Sequence, residues 1–152
     1  MALDPAHLSD EVLAFLADRH LATLTTSRPD GSPHVVPVGF TYDADSRLVR
    51  IITFAPSRKA RNLLAGPGGR AVVCQVDGGR WLALEGPATV TDEPDRVAVA
   101  VTAYAARYRP PRERHDRVAI EIAVDRILGR ACAQRSRRGP REMRRGPRSQ
   151  VR

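Results

Sequence analysis

The residues best suited to bind a ligand form a basic cluster around the only lysine of the chain. Lys59 stands in Ser57-Arg58-Lys59-Ala60-Arg61, whereas the other basic side chains are all arginine. An ammonium is a compact point charge and a guanidinium is a flat fork, so a lysine retained in an arginine-rich chain indicates a position suited to a phosphate group. The same residues would also form a solvated basic turn, and their composition leaves both readings open.

The basic cluster falls where a strand is expected to run into a helix. At a helix start, free backbone N–H groups and the positive end of the dipole favour an anion. Ser57 could donate a hydroxyl hydrogen bond, while Lys59 with Arg58 or Arg61 could supply charge-assisted bonds. We therefore predict that this segment binds the phosphate of a ligand.

Two other stretches could complete a pocket around that phosphate. In a strand beginning at Pro33, alternation places His34, Val36 and Val38 on one face, where they would lie along a planar ligand. In Asp77-Gly78-Gly79-Arg80-Trp81, two glycines let the backbone approach a ligand, and the only tryptophan offers a flat apolar wall. A structural histidine, and a tryptophan in the core or at a dimer interface, are the alternatives.

Several chemistries have no motif in this sequence. There is no Gly-rich dinucleotide fingerprint, no phosphate-binding Walker loop, no His-Glu-x-x-His and no recognisable nucleophile motif. The two cysteines, Cys74 and Cys132, are too few for a disulfide framework or a zinc site, and the apolar pattern around Cys74 predicts a buried thiol. We expect neither a metal nor a covalent catalyst.

The net charge of +8 is confined to the C-terminal end. Residues 130–152 hold nine arginines and one glutamate, so residues 1–129 carry equal numbers of acidic and basic side chains. We predict one domain over residues 1–130 and a disordered Arg/Gly/Pro-rich tail over residues 131–152, which could bind nucleic acid nonspecifically through phosphates. Without a secretion signal or an apolar run long enough to span a bilayer, a cytoplasmic protein is expected.

The hydrophobic patterns predict three helices and six strands. The helices cover residues 9–19, 57–65 and 92–108, and the strands cover residues 21–27, 33–42, 47–54, 70–77, 80–90 and 117–124. The strands follow one another at short spacing and do not alternate regularly with helices. This order favours a mainly antiparallel barrel over a doubly wound parallel sheet.

Four stretches in this order resemble the split-barrel flavin- and deazaflavin-binding superfamily that includes pyridoxamine phosphate oxidase. They are Leu21-Ala22-Thr23-Leu24-Thr25-Thr26, Asp30-Gly31-Ser32-Pro33-His34-Val35-Val36-Pro37-Val38, Ser57-Arg58-Lys59-Ala60-Arg61-Asn62-Leu63 and Trp81-Leu82-Ala83-Leu84-Glu85-Gly86. Within that superfamily the chain is most similar to the actinobacterial enzymes that use the deazaflavin coenzyme F420. The resemblance covers about residues 8–130 and excludes the tail.

The resemblance implies a six-stranded split β-barrel homodimer with two cofactor sites at the subunit interface. Ser57 and Lys59 match the phosphate-binding serine and lysine, with Arg58 and Arg61 beside them. His34, Val36 and Val38 match the strand along the ring system. The segment Asp77, Gly78, Gly79, Arg80 and Trp81 matches the loop and wall near the other edge.

The activity implied by the resemblance is hydride transfer from reduced F420 to a conjugated acceptor such as biliverdin. Arg80 and Arg58 could anchor the two propionates of that tetrapyrrole, and His34, an arginine or solvent could supply the proton. An FMN-binding oxidoreductase of the same fold is the alternative, although the extended arginine motif of the true oxidases is not evident. A noncatalytic cofactor-binding module with a nucleic-acid-binding tail is the third possibility.

Overall fold

The computed structural model describes residues 1–65 and 69–132, which form nine strands and three helices. The strands are β1 (Ala2–Leu3), β2 (Ala22–Ser27), β3 (Pro33–Val38), β4 (Thr41–Asp43), β5 (Leu48–Phe54), β6 (Arg70–Asp77), β7 (Arg80–Thr91), β8 (Arg117–Ala123) and β9 (Arg126–Arg130). The helices are α1 (Asp10–Ala17), α2 (Arg58–Leu64) and α3 (Pro94–Arg107).

Two antiparallel sheets share the long strand β7. Residues 80–87 of β7 pair with β6 and residues 81–85 pair with β9 on the other side, whereas residues 88–91 pair with β8. The connected strands follow the order β3-β2-β6-β7-β8-β5-β4, and within the described ranges this path does not close on itself. The prediction of a mainly antiparallel split-barrel fold is confirmed.

Gly86 lies where β7 changes its partner. A Cβ built on Gly86 would lie 1.8 Å from the backbone oxygen of Ala123, at the end of β8. Gly129 of β9 makes a similar approach, since a Cβ there would lie 2.1 Å from the oxygen of Trp81. Glycine lets the backbones meet where the two sheets join at Gly86, and lets β9 lie close to β7 within one sheet at Gly129.

The core lies between the inward faces of the sheets and is capped by α1. In β2, Ala22, Leu24 and Thr26 are buried and alternate with more exposed residues, as expected for a strand with one face inward. Helix α1 begins after its N-cap Ser9, whose hydroxyl accepts the N–H of Val12. Its apolar face, Val12, Phe15 and Leu16, joins the core cluster.

The structure corrects the strand count from six to nine. The strand predicted over residues 33–42 is divided at Gly39 and Phe40 into β3 and β4, because this corner packs against Tyr104 and Tyr108 of the α3 end. The other two additional strands are β9 and its short partner β1. Strand β9 was not predicted because it begins and ends with an exposed arginine, which makes the segment look polar although Ile127 and Gly129 are buried.

Three other predictions concern exposure, the membrane and the tail. Cys74 lies on the outward side of β6 and is only partly buried, so the prediction of a buried thiol is wrong. Over the described ranges, none of the three helices combines the length and apolar character that a membrane span requires. Residues 133–152 of the proposed tail lie outside the described residues.

Candidate functional site

A cleft of about 640 Å³ opens between the end of β3, the middle of β5 and the segment that follows α3. Four of its lining residues are basic, and no acidic side chain is found among the described residues that line it. The full lining comprises Pro37, Val38, Gly39, Ile52, Lys59, Tyr104, Arg109, Pro110, Pro111, Arg112 and Arg117. Its volume is in the range of small-molecule sites, and its charge suits an anionic ligand.

Lys59 is the residue of the basic cluster that reaches this cleft. Its ammonium lies 5.9 Å from the centre of the Phe54 ring, and partial burial lowers the pKa of Lys59 because the charged form loses hydration. An anion placed beside the ammonium would replace part of that hydration. The position therefore favours a bound anion over an isolated charge.

The other members of the basic cluster do not line the cleft; they are Ser57, Arg58 and Arg61. Ser57 is buried as the N-cap of α2, and its oxygen accepts the N–H of Ala60 at 3.4 Å and the hydroxyl of Thr53 at 3.1 Å. Both contacts use the oxygen as acceptor, which leaves the Ser57 proton to donate. Arg58 and Arg61 are exposed on the seven-residue helix and are not among the residues that line the cleft.

His34 lies on β3 opposite Thr26 of β2. Its Nδ1 atom is buried and has no hydrogen-bond partner among the described residues. Burial lowers the pKa of His34, and the positive charges of Arg28, Arg58 and Lys59 lower it further. The neutral imidazole is therefore favoured, and this environment works against the predicted role of His34 as a proton donor.

The valines predicted to line the cofactor face inward with His34. Val38 is 7% exposed and both joins the core and lines the cleft. Val36 is partly buried and packs against the core cluster. One strand thus places all three predicted residues on one face, with Val38 nearest to the basic cleft.

The Asp77–Trp81 hairpin lies away from Lys59 within a single chain. Strand β2 pairs Ala22 with Gln75 of β6, whereas Thr26, at its other end, pairs with His34. At about 3.3 Å per residue, the six residues between the level of Thr26 and the level of Asp77 span roughly 20 Å. Asn62 of α2 donates to the Thr26 hydroxyl at 2.9 Å, so the hairpin is far from the end of the cleft that holds Lys59. The other end of the cleft, at Val38, is level with Ala22 and Gln75 and lies closer to the hairpin.

The hairpin residues have well-defined partners of their own. Arg80 donates to the carboxylate of Asp77, which lowers the pKa of Asp77, and the Arg80 guanidinium stacks 4.6 Å from the Phe15 ring centre. Gly78 has a φ of 56°, which glycine adopts without strain, and Gly79 completes the turn. The predicted anchoring of a substrate by Arg80 would have to compete with these contacts.

The structure contains a partly buried polar network at the end of α3 that the sequence did not predict. The Arg107 guanidinium donates to the backbone oxygens of Asp18 and Phe40 and, at 2.7 Å, to the side-chain oxygen of Gln75. The Tyr108 hydroxyl donates to the oxygen of His20 at 2.6 Å. This network fixes the corner between β3 and β4 that forms one wall of the cleft. The residues of this network are far apart in the sequence. The only local signal for it is an arginine followed by a tyrosine at the end of a predicted helix.

The outer face of the sheet that contains β6 is unusually apolar. Cross-strand neighbours Val76 and Trp81 lie on this face, as do Val35 of β3 and Leu128 of β9. Val76 is 59% exposed and Val35 is 56% exposed. An apolar sheet face of this kind is typical of a protein interface.

Comparison with known proteins identifies the family. A model described as pyridoxamine 5'-phosphate oxidase matches residues 8–131. The chain belongs to this family. The match confirms the resemblance inferred from the four sequence stretches and covers both sheets of the fold and all three helices.

Individual relatives agree with this assignment. An F420H(2)-dependent biliverdin reductase from Mycobacterium tuberculosis is 54% identical over 124 residues, which cover 82% of this chain and 89% of that protein. A solved structure of an F420 reductase is 25% identical, with a TM-score of 0.62 and coverage of 76% of this chain and 94% of that one. A conserved protein of M. tuberculosis is 24% identical, with a TM-score of 0.65 over 81% and 84% of the two chains, and supports the fold alone.

Proposed function

We propose that this protein is an F420H2-dependent reductase that binds the coenzyme in the basic cleft. The observation that carries the proposal is the placement of Lys59 in a cleft whose described lining holds four basic side chains and no acid. The 54% identity to an F420H(2)-dependent biliverdin reductase supports the same cofactor.

The residues of the cleft fit both parts of such a coenzyme. Lys59, with Arg109, would hold the acidic end through charge-assisted contacts. Val38, Ile52 and Tyr104 would provide apolar surface for the flat ring system and exclude water from it. When bound, reduced F420 would supply a hydride to a conjugated acceptor. The protein's own task is to hold and orient both molecules, because the sequence offers no nucleophile.

Biliverdin is the acceptor that the similar mycobacterial enzyme's name indicates. We propose a conjugated acceptor of this kind for the present protein. The proton that completes the reduction is assigned to solvent, because burial and the neighbouring positive charges lower the pKa of His34 and disfavour its protonated form. Arg80 remains a prediction for acceptor binding, and its contacts with Asp77 and Phe15 in one chain make it a weaker candidate than the arginines of the cleft.

Purified protein should distinguish F420 from FMN. We expect F420 to bind at least ten times more tightly than FMN, and F420H2 to be oxidised only when an acceptor such as biliverdin is added. Binding is followed by the absorbance and fluorescence of the deazaflavin, and oxidation by recovery of the oxidised absorbance band. A tight FMN complex with no measurable F420 binding would favour the FMN-dependent alternative.

We also propose that the apolar outer sheet face forms a homodimer interface. A dimer through this face would cover Val35, Val76 and Trp81. Pairing of two copies would also be needed for the Asp77–Trp81 hairpin to take the predicted part in a cofactor site, because its residues do not line the basic cleft of their own chain. Val76→Glu should place charge in the interface and give a monomer in analytical ultracentrifugation, whereas Val99→Glu, on the half-exposed side of α3, should remain dimeric. A wild-type protein that is monomeric at micromolar concentration would contradict this proposal.

A further inference from the structure

A second cleft of about 570 Å³ lies beside the basic cleft, between α3 and the segment that leads to β8. Pro111, Arg112 and Arg117 line both clefts, so a single layer of side chains separates them. The far wall of the second cleft is formed by Val97 and Val101, which lie four residues apart on one side of α3. The second cleft is therefore apolar on one side and basic on the other.

The arginines on the basic side of the second cleft differ in whether they already form an ion pair with a carboxylate. Arg114 makes a two-point contact with Asp116, with nitrogen–oxygen distances of 2.8 and 2.9 Å. Arg117 donates to the backbone oxygen of Arg112, which fixes the wall between the clefts. Within residues 1–65 and 69–132, no carboxylate forms an ion pair with Arg112 or Arg117. These two guanidinium groups are available for an anionic ligand, and Glu113 is the acid among the lining residues.

We propose that the second cleft is the binding site for the acceptor and that it selects flat, conjugated molecules carrying carboxylates. The apolar wall of Val97 and Val101 would contact the conjugated body, and Arg112 and Arg117 would bind its carboxylates. This inference rests on the proposed reductase function, because it places the acceptor across the shared wall from the cofactor. Acceptor recognition is thereby assigned to Arg112 and Arg117, which also line the cofactor cleft, and not to Arg80.

The test measures acceptor binding directly, without turnover. Biliverdin and its dimethyl ester, which lacks both negative charges, are each equilibrated by dialysis with the wild-type protein and with two variants. Val101→Glu places a negative charge on the apolar wall of the second cleft. Val99→Glu makes the same change two residues away on α3, where the side chain is 50% exposed and lines a different depression.

For the wild-type protein, we expect biliverdin to bind at least tenfold more tightly than its dimethyl ester. Val101→Glu should weaken biliverdin binding by tenfold or more, and Val99→Glu should leave it within twofold of wild type. Titration with F420 should give the same affinity for all three proteins, because neither valine lines the basic cleft. Equal biliverdin affinity for wild type and Val101→Glu, or equal binding of the acid and the ester, would overturn the inference.

The outcome also separates this inference from the proposed function. If F420 binds but Val101→Glu leaves biliverdin binding unchanged, the reductase proposal stands and the acceptor site is wrong. If biliverdin binds as expected but F420 does not bind, the second cleft is a tetrapyrrole site and the cofactor assignment fails.

Discussion

Replacing Arg107 by methionine tests the partly buried network that holds the cleft wall in place. Methionine keeps much of the unbranched stem but removes every donor of the guanidinium. Gln75 is fully buried, so its side-chain oxygen would lose its Arg107 donor where water does not reach. The backbone oxygen of Phe40 would keep only a 3.3 Å contact with the Tyr108 hydroxyl, whose one proton is shared with the oxygen of His20 at 2.6 Å. The backbone oxygen of Asp18 belongs to an exposed residue and would be rehydrated.

The expected cost follows from these three acceptors. A buried acceptor left unpaired costs about 1 to 3 kcal/mol, and a weakened bond at Phe40 adds about 1 kcal/mol. Loss of the contact between the guanidinium and the Phe40 ring, whose centre is 4.5 Å away, adds roughly 0.5 to 1 kcal/mol. The rehydrated oxygen of Asp18 adds little. We therefore expect Arg107→Met to lower the free energy of unfolding by about 2.5 to 5 kcal/mol.

Urea unfolding monitored by circular dichroism measures this change. The matched control is Arg19→Met, because Arg19 is exposed and lies near the same corner, and its substitution should change the free energy of unfolding by less than about 0.5 kcal/mol. Equal stability of Arg107→Met and Arg19→Met would refute the stabilising role of the Arg107 network.

Two further predictions concern backbone packing and pH. Gly86→Ala should lower the free energy of unfolding by about 3 kcal/mol or more, because its Cβ would meet the backbone oxygen of Ala123, whereas Gly79→Ala has nothing within 4 Å and should be nearly neutral. Since burial lowers the pKa of His34 in the folded state, the unfolded chain binds the proton more readily, and stability should fall as the pH drops below the ordinary value of about 6.5. His34→Gln should therefore show a smaller loss of Tm than wild type between pH 7.5 and 5.5, and an identical loss would contradict this account.

The elements that the sequence predicts well are those whose signals are local. Ser9 and Ser57 both act as N-caps of the predicted helices, with hydroxyls that accept backbone N–H groups. The strand pair joined by Gly78 and Gly79 follows from two valine- and leucine-rich runs around a tight turn. Such features depend on neighbouring residues, so a single sequence contains them.

The features that sequence analysis misses depend on residues far apart in the chain. Strand β9 is defined by its pairing with β7, and its own residues show little alternation because Gly129 occupies a buried position. Arg107 resembles any other arginine until the fold places Phe40 and Gln75 beside it. The arginines of the cleft lie on both sides of a proline pair after α3, where no periodic pattern applies.

The candidate site likewise contains residues that the sequence predicts and residues whose placement depends on the fold. The sequence identifies Lys59 through its rarity, and the structure places it in the basic cleft. The sequence also groups Arg58 and Arg61 with Lys59, although neighbours on a helix point in different directions and these two lie outside the cleft lining. Assignment of the Asp77–Trp81 hairpin to the same site relies on a second subunit.

Titration of F420 into wild-type protein and Lys59→Ala tests the central claim most directly, with Arg61→Ala as the control for a nearby basic residue outside the cleft. Loss of one charge-assisted contact costs about 1.5 to 3 kcal/mol, so Lys59→Ala should weaken F420 binding by roughly 10- to 100-fold, with a much smaller effect for Arg61→Ala. Equal affinity of wild type and Lys59→Ala for F420 would contradict the placement of the coenzyme's acidic end at Lys59.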